Sequence, residues 1–413
     1  MQKLEAAVIL MKINFNEIEF FSSKNTDFED YKKQSYLEPF SDIIINFLDD
    51  LSKELIKDKR SRDYPEVATF AFFCRRANIV LLKKKYHKKN ELRLGRGIVF
   101  HIAPSNVPVN FAYSLVSGLL SGNINIVRVP SKIFEQVTII SNVIKSLMKK
   151  PIYKEISNFI TLIRYDRLSD FTNYFSSICD VRIIWGGDQT IDQIRENRIP
   201  PRSFDLTFAD RYSLCMINAD KYLNSISLKK IAESFFNDTY LFDQNACTSP
   251  HLLIWTGSAK NVLKSKKIFW NSLHIFIKER YPVQSIIAVD KLTSFYNQSV
   301  LMKNISKEDS YDNLIWRVNI NELANNIDNY RCSSGYFNEY HALSITEIKN
   351  IVNRKYQTLS YYGFSQNELK KIMKELKPIG IDRIVPIGKT ADFSLTWDGY
   401  NLIETLSRKI DII

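Results

Sequence analysis

The sequence predicts an α/β protein with a largely parallel sheet followed by a second α/β pattern, and three observations point there. Between Gly97 and Arg195 the apolar strand-like runs GIVFHIAP, NINIVRV, FITLIRY and VRIIWGG alternate with helical segments, which is the pattern of βαβ units. A second alternation begins near Ser213 with YSLCMIN and continues through the helix LKKIAESFFND. The composition, 45% hydrophobic and 25% charged over 413 residues, is ordinary for globular chains and long enough for two or three full cores.

Taken in order, the chain opens with MQKLEAAVILMKINF, whose apolar core before Lys12 is too short for a signal segment, so export is not expected. PFSDIIINFLDDLSKELI and YPEVATFAFFCRRANIVLLKKK carry apolar residues three and four apart, which predicts a helical lead-in to about Tyr86. The basic run KKKYHKKNELRLGR, Lys83 to Arg96, reads as a solvated surface loop or as a strip for an acidic partner. Val107 to Leu120 is the longest nearly apolar window; it falls short of the roughly 18 residues of a membrane span and is expected as a buried helix. A long helical stretch runs from Ser258 to Arg280, a mixed region follows, and the tail is GIDRIVPIGKTADFSLTWDGYNLI. No repeat or low-complexity tract interrupts the pattern.

The cysteines at 74, 179, 215, 247 and 332 are odd in number, widely spaced and without a C-x-x-C pair, so reduced thiols in a cytoplasmic protein are expected, with no metal site. The net charge of +12 admits polyanionic partners: nucleic acid, anionic lipid, a phosphorylated cofactor or an acidic carrier protein. Nucleic acid is not expected, because the basic run lacks interleaved aromatics and no nucleic-acid motif is present.

Three stretches carry chemistry. FDQNACTSPH, Phe242 to His251, sets Cys247 among Asp243, Gln244, Asn245, Thr248 and Ser249. Such polar neighbours suit a reachable thiolate nucleophile, although free cysteines are commonly buried as small hydrophobes. His251, His101 and His341 are possible partners for it, and no spacing favours one. In HIAPSNVPVNF, Pro104 and Pro108 bracket Asn106, which reads either as an amide held for a developing oxyanion or as a helix N-cap. VRIIWGGDQTIDQIR ends a strand in Gly186 and Gly187 before a helix whose first-turn amides could face a pyrophosphate; it also reads as an ordinary βα turn. G-x-G-x-x-G is absent, which excludes the plain Rossmann fingerprint.

The order of these pieces resembles an aldehyde dehydrogenase chain, and more closely the LuxC-type acyl-CoA reductase family, the fatty-acid reductase branch of that superfamily. YPEVATFAFFCRRANI, FHIAPSNVPVNFAYSLVSGLLSGNINIVRVPSK, VRIIWGGD, FDQNACTSP, KYQTL and RIVPIGKTADFSLTWDGYNL resemble family stretches from about Tyr36 to the C-terminus. The resemblance implies an aldehyde dehydrogenase-like fold with a Rossmann-like cofactor domain plus an α/β catalytic domain and the active site in the crevice between them. It places the helical lead-in and cofactor-binding domain at 1–212, the catalytic domain with its nucleophilic cysteine at 213–385, and a tail returning to the cofactor domain at 386–413.

Residue by residue, it implies that Cys247 is the catalytic cysteine and Asn106 the oxyanion amide. Arg128 and Ser131 fall where a Lys-Pro-Ser motif contacts the adenosine ribose, with one extra residue here, and Gly186, Gly187 and Asp188 fall beside the cofactor pyrophosphate. NADPH is the implied cofactor, with Arg128 a reader of its extra phosphate. The stretch FADRYSLCMI lacks the glutamate that activates water in hydrolytic relatives, so the acyl-enzyme should resist hydrolysis. The glutamate that holds the nicotinamide ribose also has no counterpart, the region reading RCSSGY from Arg331 to Tyr336.

The expected activity is reduction of an activated fatty acyl thioester to aldehyde through a cysteine acyl-enzyme. The donor would be acyl-CoA or an acyl-carrier or acyl-protein thioester; an acyl-activating synthetase partner, a homo-oligomer and no membrane span are the implied associations. Reduction of a short acyl-CoA or acyl-phosphate by the same fold is one alternative, and a non-catalytic basic binding protein is the other.

Overall fold

A computed structural model describes residues 14–22, 28, 30–88, 90–308 and 312–412, so the apolar N-terminal stretch and Lys89 of the basic run lie outside the described residues. The chain forms two compact units, one running to Ala209 and resumed by the segment from Ser394 onward, the other spanning Asp210–Phe393.

The first unit contains β1 (Glu19–Phe20), α1 (Asp42–Lys57), α2 (Pro65–Cys74), α3 (Arg76–Tyr86), β2 (Leu92–Gly95), β3 (Ile98–Ile102), α4 (Asn110–Leu120), β4 (Ile124–Arg128), α5 (Glu135–Met148), β5 (Ile160–Arg164), α6 (Phe171–Ile178), β6 (Val181–Trp185), α7 (Asp188–Arg195) and β7 (Phe204–Phe208). The lead-in helix YPEVATFAFFCRRANIVLLKKK is two helices, because Arg75 (φ −57°, ψ 138°) leaves the helical region between α2 and α3. Pro65 fits at the start of α2, where its missing N–H costs nothing.

The sheet has the order β1-β5-β4-β3-β6-β7, with β3 to β7 all parallel and β1 antiparallel on the β5 edge. Every residue of β3 is buried, as is every residue of α4 from Phe111 to Leu120, so the apolar window is a core helix covering the sheet. Gly118 permits this: a Cβ there would overlap the Asn125 side-chain oxygen on β4.

The second unit contains β8 (Tyr212–Asn218), α8 (Ala219–Leu223), α9 (Leu228–Thr239), β9 (Pro250–Thr256), α10 (Ala259–Lys278), α11 (Ser285–Leu301), β10 (Ile305–Lys307), β11 (Trp316–Ile320), β12 (Tyr336–His341), β13 (Tyr356–Tyr362), α12 (Gln366–Leu376) and β14 (Arg383–Pro386). Its sheet has the order β10-β11-β12-β9-β8-β13-β14, parallel except for β10. Alternation along β8 sends Tyr212, Leu214 and Met216 into one core and Cys215 and Ile217 into the other. Both faces are therefore covered, which is why YSLCMIN reads as one continuous apolar run. Ser258 caps α10 by accepting from the Asn261 N–H at 3.4 Å.

The C-terminal segment of the first unit adds β15 (Thr396–Trp397), β16 (Tyr400–Asn401), α13 (Leu402–Leu406) and β17 (Ser407–Ile410), with β17 antiparallel to β2. This return absorbs much of the basic run: Lys88 pairs with Glu404 at 2.9 Å, Arg93 donates to the Glu404 carbonyl at 2.9 Å, and Arg96 donates to the Thr405 carbonyl at 2.6 Å. Those side chains hold the tail against β2, an outcome neither the loop nor the docking reading anticipated. Among the described residues no helix is long and apolar enough to cross a membrane.

Candidate active site

In the first unit the strand order reverses between β3 and β6, and the carboxyl ends of neighbouring strands diverge there. A cleft of about 870 Å³ opens at that point. It gathers Asn106 from the turn after β3, Arg128 and Ser131 from the end of β4, and Gly186 and Gly187 from the end of β6. Asp188 does not line it. That residue is the first of α7, where a carboxylate complements the helix dipole.

Asn106 is not an N-cap. The residue preceding α4 is Val109, three positions further on, and Asn106 stays exposed against the cleft. The bracketing prolines also explain why the first βα turn lacks a glycine fingerprint: it is a stiff turn, and the glycine turn follows β6 instead. There Gly187 precedes α7 with φ −70° and ψ 163°, and a Cβ built on it meets nothing within 4 Å. The start of α7 thus faces open space, which suits an anion.

Arg128 closes β4 with its guanidinium over the Tyr165 ring at 4.8 Å and one Nη donating to Ser131 Oγ at 3.4 Å. Its Nε–H is buried and lacks a partner among the described residues. Arg164, beside it, is already committed to Glu19 at 2.9 Å and to the Pro130 carbonyl at 3.0 Å. A phosphorylated dinucleotide fits this donor set: a spare guanidinium N–H, a hydroxyl and a helix start.

Trp185, at the end of β6, forms part of the wall, stacked on Phe208 at 3.9 Å. Its indole N–H donates to Ser114 Oγ at 3.1 Å, and Ser114 meets His101 Nδ1 at 2.7 Å. His101 Nε2 meets Asn125 Oδ1 at 3.0 Å, while the Asn125 amide nitrogen donates to the Asn123 carbonyl at 2.6 Å. These partners assign the proton to Nε2 and use both ring nitrogens. Burial pushes His101 down to about 4, so it is a neutral core residue.

In the second unit Cys247 lies in the loop entering β9, where a short 3₁₀ turn (Tyr240–Phe242) gives way to Asp243 (φ 51°) and Gln244 (φ 59°). Two consecutive left-handed residues without glycine are strained and persist only where surroundings hold them. Gln244 supplies that hold. Its buried amide donates to the Pro250 and Tyr336 carbonyls, each at 3.0 Å, and accepts from the Gly335 N–H at 2.9 Å and the Tyr336 N–H at 3.1 Å. Ser213 Oγ donates to the Cys247 carbonyl at 2.7 Å.

The thiol itself is half-buried, unlike Cys74, Cys179 and Cys215, whose thiols are buried and pushed upward, Cys179 to about 12. His251, four residues on, stacks on Tyr212 with centroids 5.7 Å apart, and burial drives it down to about 3. His341 bonds the Gly257 carbonyl at 2.9 Å. Hydrogen bonds within the fold thus account for His101 and His341, while the buried Nδ1 of His251 has no hydrogen-bond partner among the described residues.

The stretch before β8 holds one carboxylate, Asp210, which accepts from Arg331 at 2.6 Å and pairs with Lys355 at 3.5 Å. Burial works to raise it, but the two cations outweigh burial and hold it below the usual carboxylate range. The RCSSGY segment turns out to brace the cysteine loop, through the Ser334 N–H on the Asp243 carbonyl and through Gly335 and Tyr336 on Gln244.

Sequence reading missed Gln244 and Trp185 as site residues. Gln244 stood in the quoted polar run, but only its long-range partners reveal its role. Trp185 carried a signal in hindsight, a large aromatic at the strand end before the glycine turn.

The model of a family described as acyl-CoA reductase (LuxC) matches residues 79–409. Two curated proteins, each named long-chain acyl-protein thioester reductase, are similar to the chain. The one from Aliivibrio fischeri is 24% identical over 304 residues, covering 71% of this chain and 58% of its own. The one from Vibrio harveyi is 22% identical over 301 residues, covering 71% and 59%. The chain therefore spans less than two thirds of the length of these relatives.

Among solved structures, glyceraldehyde-3-phosphate dehydrogenase GapN from Methanocaldococcus jannaschii, complexed with NADP, superposes with a TM-score of 0.61 at 12% identity, covering 92% of this chain and 91% of that one. Aldehyde dehydrogenase 21 from Physcomitrella patens, in complex with succinate, gives 0.61 at 11% identity, covering 89% and 85%. These likenesses establish an aldehyde dehydrogenase-like α/β fold.

Proposed function

The chain belongs to the acyl-CoA reductase (LuxC) family, and on that premise we propose that it is an acyl thioester reductase, converting an activated fatty acyl thioester to the free aldehyde with NADPH through an acyl group held on Cys247. The observation that carries this reading is the mounting of Cys247: a half-buried cysteine on a strained loop whose geometry the buried Gln244 amide fixes. Strain held in place around a reachable nucleophile is what a reacting loop requires.

In the proposed reaction the Cys247 thiolate attacks the thioester carbonyl, and the carrier thiol leaves with a proton. Asn106 is assigned as side-chain donor to the oxyanion, joined by the Cys247 backbone N–H. Asp210 is tied up by Arg331 and Lys355, so the segment before β8 offers no free base to activate water, which favours an acyl-enzyme that lasts until reduction. Arg128, Ser131, Gly186 and Gly187 are assigned to hold the cofactor, with the start of α7 at its phosphates. Bound there, the reduced nicotinamide supplies the hydride that turns the acyl group into an aldehyde.

The curated relatives are named for acyl-protein thioesters, so the donor assigned first is a protein-carried acyl group, with acyl-CoA second. A protein-carried donor requires an acyl-activating partner to load it.

The test is intact-protein mass after mixing with acyl-CoAs and with an acylated carrier protein of several chain lengths, wild type beside Cys247→Ala, then addition of NADPH. One acyl group gained by wild type alone, and discharged by NADPH as aldehyde, is the expected result. No adduct from either donor class would overturn the reading.

A further inference from the structure

Gln244 holds the cysteine loop from its buried side, and a second contact holds it from the exposed side. Tyr281 follows α10 directly, its N–H on the Ile277 carbonyl at 2.9 Å, so it is carried on the end of a 20-residue helix. Its phenol donates to Asp243 Oδ1 at 2.5 Å, a short bond of the kind an ionised acceptor makes. The ring packs edge-on to Tyr240 with centroids 4.9 Å apart, and the Ser334 side chain lies beside the hydroxyl. Burial and the neighbouring carboxylate both push the phenol upward, so it keeps its proton and stays the donor.

Asp243 is where such a contact has leverage. With Gln244 it forms one left-handed pair, and Ser334 (φ 57°) with Gly335 (φ 92°) forms another, joined to the first by the Ser334 N–H on the Asp243 carbonyl at 2.9 Å. Gly335 has to be glycine, since a Cβ there would run into the Tyr240 hydroxyl. Between α9 and β9 the backbone is a succession of turns: Gln244 N–H on the Thr239 carbonyl at 2.7 Å, Asp243 N–H on Tyr240 at 3.1 Å, Asn245 N–H on Phe242 at 2.8 Å and Ser249 N–H on Ala246 at 2.9 Å. A tilt at Asp243 is therefore passed to Cys247, four residues on, instead of being taken up by slack chain. An exposed polar pair usually contributes little, because ordering two free side chains offsets it. Here one partner is fixed at a helix end and the other on a strained turn.

We propose that Tyr281 is a positioning residue for Cys247: its phenol, anchored at the end of α10, clamps Asp243 and so sets where the loop presents the thiol. This role rests on Cys247 being the nucleophile, and Tyr281 acts through Asp243 without taking part in the chemistry.

Two measurements on the full chain test it: steady-state reduction of an acyl-CoA by NADPH, and alkylation of Cys247 by iodoacetamide read by intact mass, with Cys247→Ala as the blank. Tyr281→Phe keeps the ring against Tyr240 and is expected to melt like wild type, while kcat falls about tenfold at unchanged KM and the alkylation rate changes by a similar factor. Asp243→Gly keeps the left-handed backbone and deletes the acceptor, so it is expected to match Tyr281→Phe. The double variant is expected to be no worse than either single one, because both remove the same contact. Asp243→Asn still accepts and is expected to fall between wild type and Asp243→Gly. Wild-type kcat and alkylation rate in Tyr281→Phe overturn the proposal, as do losses that multiply in the double variant, or an Asp243→Asn protein as slow as Asp243→Gly. Alkylation needs no acyl donor. A wild type that reduces no acyl-CoA or acylated carrier protein therefore counts against the reductase reading, while equal alkylation rates in wild type and Tyr281→Phe count against the clamp.

Discussion

Gln244 and Tyr336 exchange two hydrogen bonds: the Gln244 amide donates to the Tyr336 carbonyl at 3.0 Å, and the Tyr336 N–H donates to the Gln244 amide oxygen at 3.1 Å. The pair fastens the cysteine loop to the start of β12.

Gln244→Ala leaves the carbonyls of Pro250 and Tyr336 and the N–H groups of Gly335 and Tyr336 buried without this partner. A loss of about 3 kcal/mol or more in folding stability is expected. Urea unfolding measures it, and the alkylation rate of Cys247 in the folded protein should change as the loop relaxes. Unchanged values for both would show that the amide does not set the loop.

Gly187 and Gly118 should separate binding from folding. Gly187 has ordinary backbone angles and open space at its Cβ, so Gly187→Leu should melt like wild type yet fill the cleft and weaken dinucleotide binding at least about tenfold. Gly118→Ala drives a methyl into Asn125, so it should lower the melting temperature. Melting curves beside cofactor titrations read both effects, and a Gly187→Leu protein with wild-type affinity would remove the cofactor from this turn.

Arg128→Ala should weaken NADPH about 10- to 100-fold while NADH changes less, if the spare guanidinium N–H answers the extra phosphate. Fluorescence titration with each dinucleotide decides, and equal losses would assign Arg128 to the common part of the cofactor.

Acid should destabilise the fold between about pH 6.5 and 4. His101 and His251 titrate near 4 and 3 when folded against 6.5 ordinarily, because burial disfavours their charged forms. As the pH falls the unfolded chain binds those protons first, and stability drops. Asp238 acts in the opposite sense, since burial raises its carboxyl from 3.8 to about 6 and the folded chain binds that proton first. Two histidines outweigh one carboxylate. Melting temperature should fall across this window, less steeply in His251→Phe, and a rise on acidification would contradict the balance.

Much of this was legible because it is local. Apolar runs such as IVFHI and YSLCMIN could only be covered strands, and the polar setting of Cys247 and the glycines after β6 announced themselves by neighbours in the chain. The basic run misled because its partners, Glu404 and Thr405, lie some three hundred residues away. The same distance hid Gln244, whose four hydrogen bonds need β9 and β12 side by side, and the choice between cap and cleft for Asn106, which depends on where α4 starts. By itself the sequence determined which segments become strands and helices, since periodicity and turn chemistry act over a few residues. Only the tertiary structure decided which buried donors and charges meet, because a hydrogen bond across the fold leaves no periodic mark in the chain.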